Sequence, residues 1–157
     1  MILTTHILSG AALGANVNNP YAVAGLSIVL HFLLDLFPHG DYLNKKSRLR
    51  EFWKVALDII IGLSIVAAII FIRGLAPNNA LNIENILIGI LFSLLPDFTT
   101  FLHDWMKMKL LKPIYFFHQK LHLLHHPDFA PERKFRLKNN LWDVFISFVS
   151  LLILILA

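Results

Sequence analysis

The sequence predicts an all-α fold: a polytopic membrane helical bundle of about five apolar helices, with a cytoplasmic interfacial helical segment. Three observations carry this expectation. Hydrophobic residues make up 57% of the chain and mean hydropathy is +0.65, well above a soluble domain of ordinary composition. Apolar stretches recur at residues 2–15, 20–37, 55–72, 81–95 and 141–157. The segments between them alternate in charge, and every Lys and Arg except Arg73 falls within residues 38–54 or 96–140. Basic loops stay on the inner side of a membrane, so both of these segments are expected in the cytoplasm, together with the N-terminus. That makes the chain an integral protein of the cell (inner) membrane. Its 157 residues suit one domain.

Each element has its own reason. Residues 2–15 carry Gly10 and Gly14, flanked by Ser9, Ala11 and Ala12. Such a small-residue face lets a neighbouring helix approach closely. No basic segment precedes this stretch, so it reads as a retained helix rather than a cleaved signal. A full crossing needs about 20 apolar residues, or about 17 at the short end. Residues 20–37 and 55–72 meet that length, and 141–157 just meets it. Residues 2–15 and 81–95 are short, and short helices tilt little or thin the bilayer locally. Pro96-Asp97 is expected to end the fourth crossing, with Asp97 capping a new interfacial helix over 98–111. Phe98, Phe101, Leu102, Trp105 and Met106 share one side of that helix. Pro113 is expected to break it, and a second interfacial helix, 114–126, stops before Pro127. A basic loop then leads to the last crossing.

Charge and composition exclude several classes. The net charge of +4 comes from the cytoplasmic loops, so it gives no reason to expect nucleic acid as a partner. A basic rim does attract anionic lipid headgroups, and membrane lipids are the expected partners. Cys is absent, which removes a thiol nucleophile, a disulfide framework and a thiolate metal site. Oligomeric state is left open.

The chemistry gathers at one end. Folding the chain as above brings His6, His31, Asp35, His39, Asp41, Asp58, Asp97, His118, His122, His125, His126 and Asp143 to the cytoplasmic side. His31 and Asp35 are spaced i, i+4 and point to one helix face. Pro38 ends that helix, and His39 and Asp41 follow in the turn. An imidazole and a carboxylate one turn apart can chelate one ion, or one can orient the other. The run His118-Gln-Lys-Leu-His122-Leu-Leu-His125-His126 repeats the helical spacing. Other readings stand beside these. A membrane His such as His6 can bond a neighbouring helix's carbonyl or hydroxyl. Asp58 and Asp143 can pair with Lys54 or nearby Arg, or belong to the metal site. Asp97 can be a helix cap alone, and the His-rich run can be a lipid-facing basic surface.

The elements Thr5-His6-x3-Gly10-Ala11-Ala12, His31-x3-Asp35-x2-Pro38-His39, Leu95-Pro96-Asp97 and the His-rich helix resemble the membrane-bound predicted metal-dependent hydrolases, which include LexA-regulated inner-membrane proteins. The nearest counterpart of that family's His-Arg-Gly-x-Thr-His-Ser element is His118-x3-His122, without Arg-Gly, and the order of elements differs. The resemblance implies a divalent-metal site and hydrolysis near the inner face of the membrane.

The expected metal ligands are therefore His6, His31, Asp35, Asp97, His118 and His122. His39, Asp41 and His126 are candidates for catalysis, a second ion or support of the ligands. Nitrogen and carboxylate donors without thiolate suit Zn, Mn or Fe, as one or two ions. The expected function is hydrolysis of a phosphoester of a lipid-like substrate by metal-activated water. Two alternatives are a metal-ion or proton transporter and a non-catalytic protein with a structural metal. A conduit needs polar residues through the bilayer, yet Ile59–Ile72 offers only Ser64 as a hydrogen-bonding side chain.

Overall fold

The computed structural model describes residues 1–43, 47–75, 81–123 and 134–157, with residues 122 and 123 described by backbone alone. Its elements are helices: α1 (Leu3–Asn16), α2 (Pro20–Leu34), α3 (Trp53–Gly74), α4 (Ile83–Asp104), α5 (Lys112–Leu123) and α6 (Leu141–Leu156). Short 3-10 turns precede α3, α5 and α6, and an isolated bridge joins Asp41 to Lys134. Three helical segments are long and apolar enough to cross a membrane: Leu49–Gly74, Ile83–Asp104 and Leu137–Leu156. α1 and α2 have 14 and 15 residues. At 1.5 Å per residue they reach about 21–23 Å, short of the ~30 Å hydrocarbon layer.

The short helix α1 is the hub, and it packs against α2, α3, α4 and α6. Most of its residues are buried, and its hydroxyls face its neighbours. Ser9 Oγ lies 2.9 Å from Ser150 Oγ, and Thr5 Oγ1 lies 2.9 Å from Ser147 Oγ, which ties α1 to α6. Outward faces are the reverse. Leu26, Val29 and Leu33 of α2, Ile60 and Phe71 of α3, and Phe145 and Phe148 of α6 are exposed. Polar groups inside and bulky apolar groups outside are what a lipid solvent requires.

A buried helix must have its terminal backbone groups satisfied by protein. No side chain of α1's own start does this. Asp58 of α3 accepts from Leu3 N at 2.6 Å and Thr4 N at 3.1 Å, and Asp143 of α6 accepts from Ile2 N at 2.9 Å. At the other end Asn85 of α4 donates to the carbonyls of Val17 and Asn18. Asp58 and Asp143 are thus caps for α1, contributed by other helices. Arg73 closes the far end of α3 by donating to the Ile155 carbonyl of α6.

α1 and α4 cross at glycines. A Cβ on Gly10 would overlap the Gly89 carbonyl, and one on Gly14 would overlap the Asn85 carbonyl. The small-residue face of α1 therefore meets α4, backbone against backbone.

Two boundaries differ from the sequence expectation. Pro96 does not end a helix: α4 continues through it to Asp104, so no separate helix covers 98–111. Proline removes the donor for the carbonyl four residues back, a cost that membrane helices tolerate where neighbours compensate. The freed carbonyl is that of Phe92; on either side of the missing bond Ser93 O accepts from His31, and Thr99 and Thr100 both donate to Pro96 O. In the same way Pro113 does not separate two helices but lies in the first turn of α5, where its missing N–H is not needed.

Candidate metal centre

α2 and α4 pack together, and this sets the site. His31 and Asp35 lie one turn apart at the end of α2, facing α4. His31 Nδ1 donates to Ser93 O at 2.7 Å, which leaves the Nε2 lone pair pointing away from α4's backbone. His118 comes from α5. Its Nδ1 lies 2.8 Å from Thr100 Oγ1, whose own hydroxyl donates to Pro96 O at 3.2 Å. In the tautomer protonated at Nδ1, Thr100 is the acceptor and His118 also presents Nε2 as a lone pair.

These groups converge on one carboxylate. Asp35 Oδ2 lies 3.0 Å from His31 Nε2 and 2.9 Å from His118 Nε2. The two Nε2 atoms are 3.4 Å apart, and Asp97 Oδ1 is 3.7 Å from His118 Nε2. His31, Asp35, Asp97 and His118 thus offer four ligand atoms within 4.8 Å of one another, a group that could hold a metal ion. The chemistry of the donors fits one. Each imidazole is oriented by a hydrogen bond through Nδ1, the arrangement that prepares a metal-ligating histidine. With both rings protonated at Nδ1, two nitrogen lone pairs and a carboxylate oxygen lie at this separation, and a shared cation would relieve their repulsion.

The far oxygen of Asp35 faces α1. His6 Nε2 lies 3.2 Å from Oδ1, and the His6 ring stacks on His31 at 4.2 Å. Neither ring nitrogen of His6, which is fully buried, makes a hydrogen bond among the described residues. The Met1 α-amino group also contacts Oδ1, at 3.0 Å. Burial works against its charge, but Asp35 and the other nearby carboxylates outweigh this and hold its pKa above the ordinary value.

Four of the expected ligands are brought together, and His6 stands directly behind them. His39 and Asp41 are not in the group. His39 Nδ1 donates to Phe37 O at 2.7 Å, and its Nε2 lies 3.5 Å from Asp41 Oδ1. His126 lies outside the described residues, as does the side chain of His122. Thr100 and the Ser93 carbonyl, which orient the two imidazoles, were not among the candidates. Thr100 was accessible to sequence reasoning, since it follows Asp97 at i+3 and shares its helix face. The Ser93 carbonyl was not, because a backbone acceptor leaves no mark in a sequence.

A cavity of about 1440 Å³ opens beside the group. Asp97 and His118 line it, as do Asp41, Tyr42, Lys54 and Lys134. Tyr42 donates to Asp58 Oδ2 at 2.9 Å. Burial and the Asp58 carboxylate raise its phenol pKa, so the group stays neutral. His31, Asp35 and His118 are almost wholly buried, while the Asp97 side chain is 30% exposed. The open side of the group is therefore Asp97. No protein-family model, curated protein or solved structure matches this chain.

Proposed function

We propose that this protein is a membrane-embedded, metal-dependent hydrolase that cleaves a phosphoester of a lipid-like substrate at the cytoplasmic interface of the cell (inner) membrane. In this reading α1, α2, α3, α4 and α6 are five crossings, with the N-terminus and basic loops inside, and the relationship is to the membrane-bound metal-dependent hydrolases. The observation that carries the proposal is the convergence of two oriented imidazoles and two carboxylates on the wall of a cavity, with one carboxylate open to it.

Zn, Mn or Fe suits this donor set. A bound ion would lower the pKa of a water molecule and polarise the phosphoryl group. The rest falls to the chain. His31, Asp35, Asp97 and His118 hold the ion, and Ser93 O and Thr100 fix the imidazoles. His6 and Asp35 Oδ1 offer donors for a second ion. Asp41, paired with His39 on the cavity side, is placed to take a proton, and His126 is a further candidate. Lys54 and Lys134 line the same cavity and would hold the phosphate by charge.

A second reading, a structural metal site, draws on the near-complete burial of His31, Asp35 and His118. The test is turnover of lipid extracts by purified protein loaded with Zn²⁺ or Mn²⁺. Release of a phosphate-containing product, abolished by chelator and reduced by orders of magnitude in Asp97→Asn, is the expected result. A fully metallated preparation that turns over no lipid class would replace the hydrolase reading with the structural one.

A further inference from the structure

α3 and α4 follow each other in the chain, but α1 is packed between them and they do not pack closely on each other. The cavity beside the metal group occupies the gap. At the end nearest the basic loops, aromatic rings bridge it: Phe52 meets Phe101 at 5.4 Å and Trp105 at 4.7 Å. At the other end the walls are apolar, with Leu57 and Ile61 on α3 and Leu91 and Leu94 on α4. Leu57, Ile61 and Leu91 are also 47%, 46% and 61% exposed, so these walls run on to the bundle's outer surface. The cavity thus has apolar walls on two helices long and apolar enough to cross a membrane and an aromatic bridge toward the loops. Asp97 sits between the two parts, six positions after Leu91 on α4, or about 9 Å along the helix.

We propose that this cleft holds one hydrocarbon chain of a phosphate-bearing membrane lipid, entering sideways between α3 and α4 with its head between Lys54, Lys134 and the metal group. The placement of the head rests on the hydrolase reading above. Three features select this occupant. Leu57, Ile61, Leu91 and Leu94 present methylene-compatible walls, and the one carboxylate among them, Asp58, is already engaged by Leu3 N, Thr4 and Tyr42. The aromatic bridge stops anything that runs the length of the gap, as a partner's transmembrane helix would, but a lipid chain can end beneath it. The polar end sets Lys134 and Lys54, the latter in its 3.2 Å ion pair with Glu51, beside the cation-binding group and the carboxylates of Asp41 and Asp104, so a phosphate there would be held by a bound cation and Lys134, attachments that an uncharged head cannot use.

The full-length protein, purified in detergent and freed of bulk lipid, is the test material. The photoreactive residue p-benzoylphenylalanine replaces Ile61, on the cleft wall, or Ile60, exposed on the same helix but outside the cleft. The probe is dioleoyl phosphatidic acid. Several-fold stronger crosslinking at Ile61 than at Ile60 is expected, and inorganic phosphate alone should not compete. Adding Leu91→Trp, which fills the cleft, should remove the Ile61 crosslink while bound metal persists. Equal labelling at the two positions would overturn the proposal. Equal labelling at Ile61 by dioleoylglycerol would overturn its phosphate-bearing part. Metal content read on the same samples separates the two ideas: an Ile61 crosslink without metal keeps the cleft and discards the hydrolase, and metal without a crosslink does the opposite.

Discussion

Thr100 Oγ1 lies 2.8 Å from His118 Nδ1 and 3.2 Å from Pro96 O, so it can accept from the imidazole while donating to its own helix. One small side chain, held by the proline of its own helix, thus orients the imidazole of a histidine on another helix through Nδ1, on the side away from Asp35. Thr100→Val keeps the shape and removes the acceptor. Metal affinity should fall about 10–100-fold, the usual cost of losing such a partner, with the fold intact. Titration of the purified variant with Zn²⁺ checks this. Unchanged affinity would mean that Thr100 does not orient the ligand.

His31→Ala and Asp35→Ala should each lose bound metal. Asp35 Oδ2 touches both imidazole nitrogens, so its removal dismantles the group rather than one corner of it. Elemental analysis of protein purified in detergent gives the answer. Wild-type metal content in both variants would make the pair a packing feature between α2 and α4.

Asp58→Ala should destabilise the protein by about 3 kcal/mol or more. The carboxylate accepts from two amides of α1, the Thr4 hydroxyl and Tyr42. Each buried donor left without a partner costs about 1–3 kcal/mol. Asp58→Asn, which keeps an acceptor oxygen, should recover part of the loss. Thermal unfolding in detergent measures both, and a midpoint within error of wild type for Asp58→Ala would refute the capping role.

Gly89→Val should prevent assembly of the bundle, because a Cβ there meets the Gly10 carbonyl. Gly25→Ala is the matched control, since a Cβ on Gly25 meets nothing within 4 Å. Expression, monodispersity and thermal midpoint should separate the two variants clearly. Similar behaviour would show that the α1–α4 crossing has room to spare.

Reporter fusions at Ser47 and Asn78 should report opposite sides of the membrane, with Ser47 cytoplasmic. The near-complete confinement of Lys and Arg to two segments motivates this. A cytoplasmic signal from both positions would sink the five-crossing topology.

The sequence by itself determined the class of fold and the residue types of the site. Apolar stretches bounded by polar segments read as helices, so α1, α2, α3 and α6 and the start of α4 were legible to within a few residues, while the end of α4 lies nine residues beyond the expected 95. The i, i+4 spacing of His31 and Asp35 is local geometry, and it survives in the structure as a 3.0 Å contact. Tertiary structure decided the rest. Pro96 was read as a helix end because local rules count only the lost N–H. α4 nevertheless runs on through it to Asp104, packed against α1 and α2, with Ser93 O and Pro96 O bonded by His31 and the two threonines on either side of the missing bond. Asp58 and Asp143 had two sequence readings and proved to be caps for a helix more than fifty residues away in the chain, as shown by the contacts of Asp58 with Leu3. His39 and Asp41, read as candidates for catalysis, a second ion or support of the ligands, lie outside the group and pair with each other. Helical periodicity says which face a side chain takes, but the choice of which faces meet is made by packing. Here that choice was made largely by Gly10, Gly14 and Gly89, whose missing side chains bring α4 against α1.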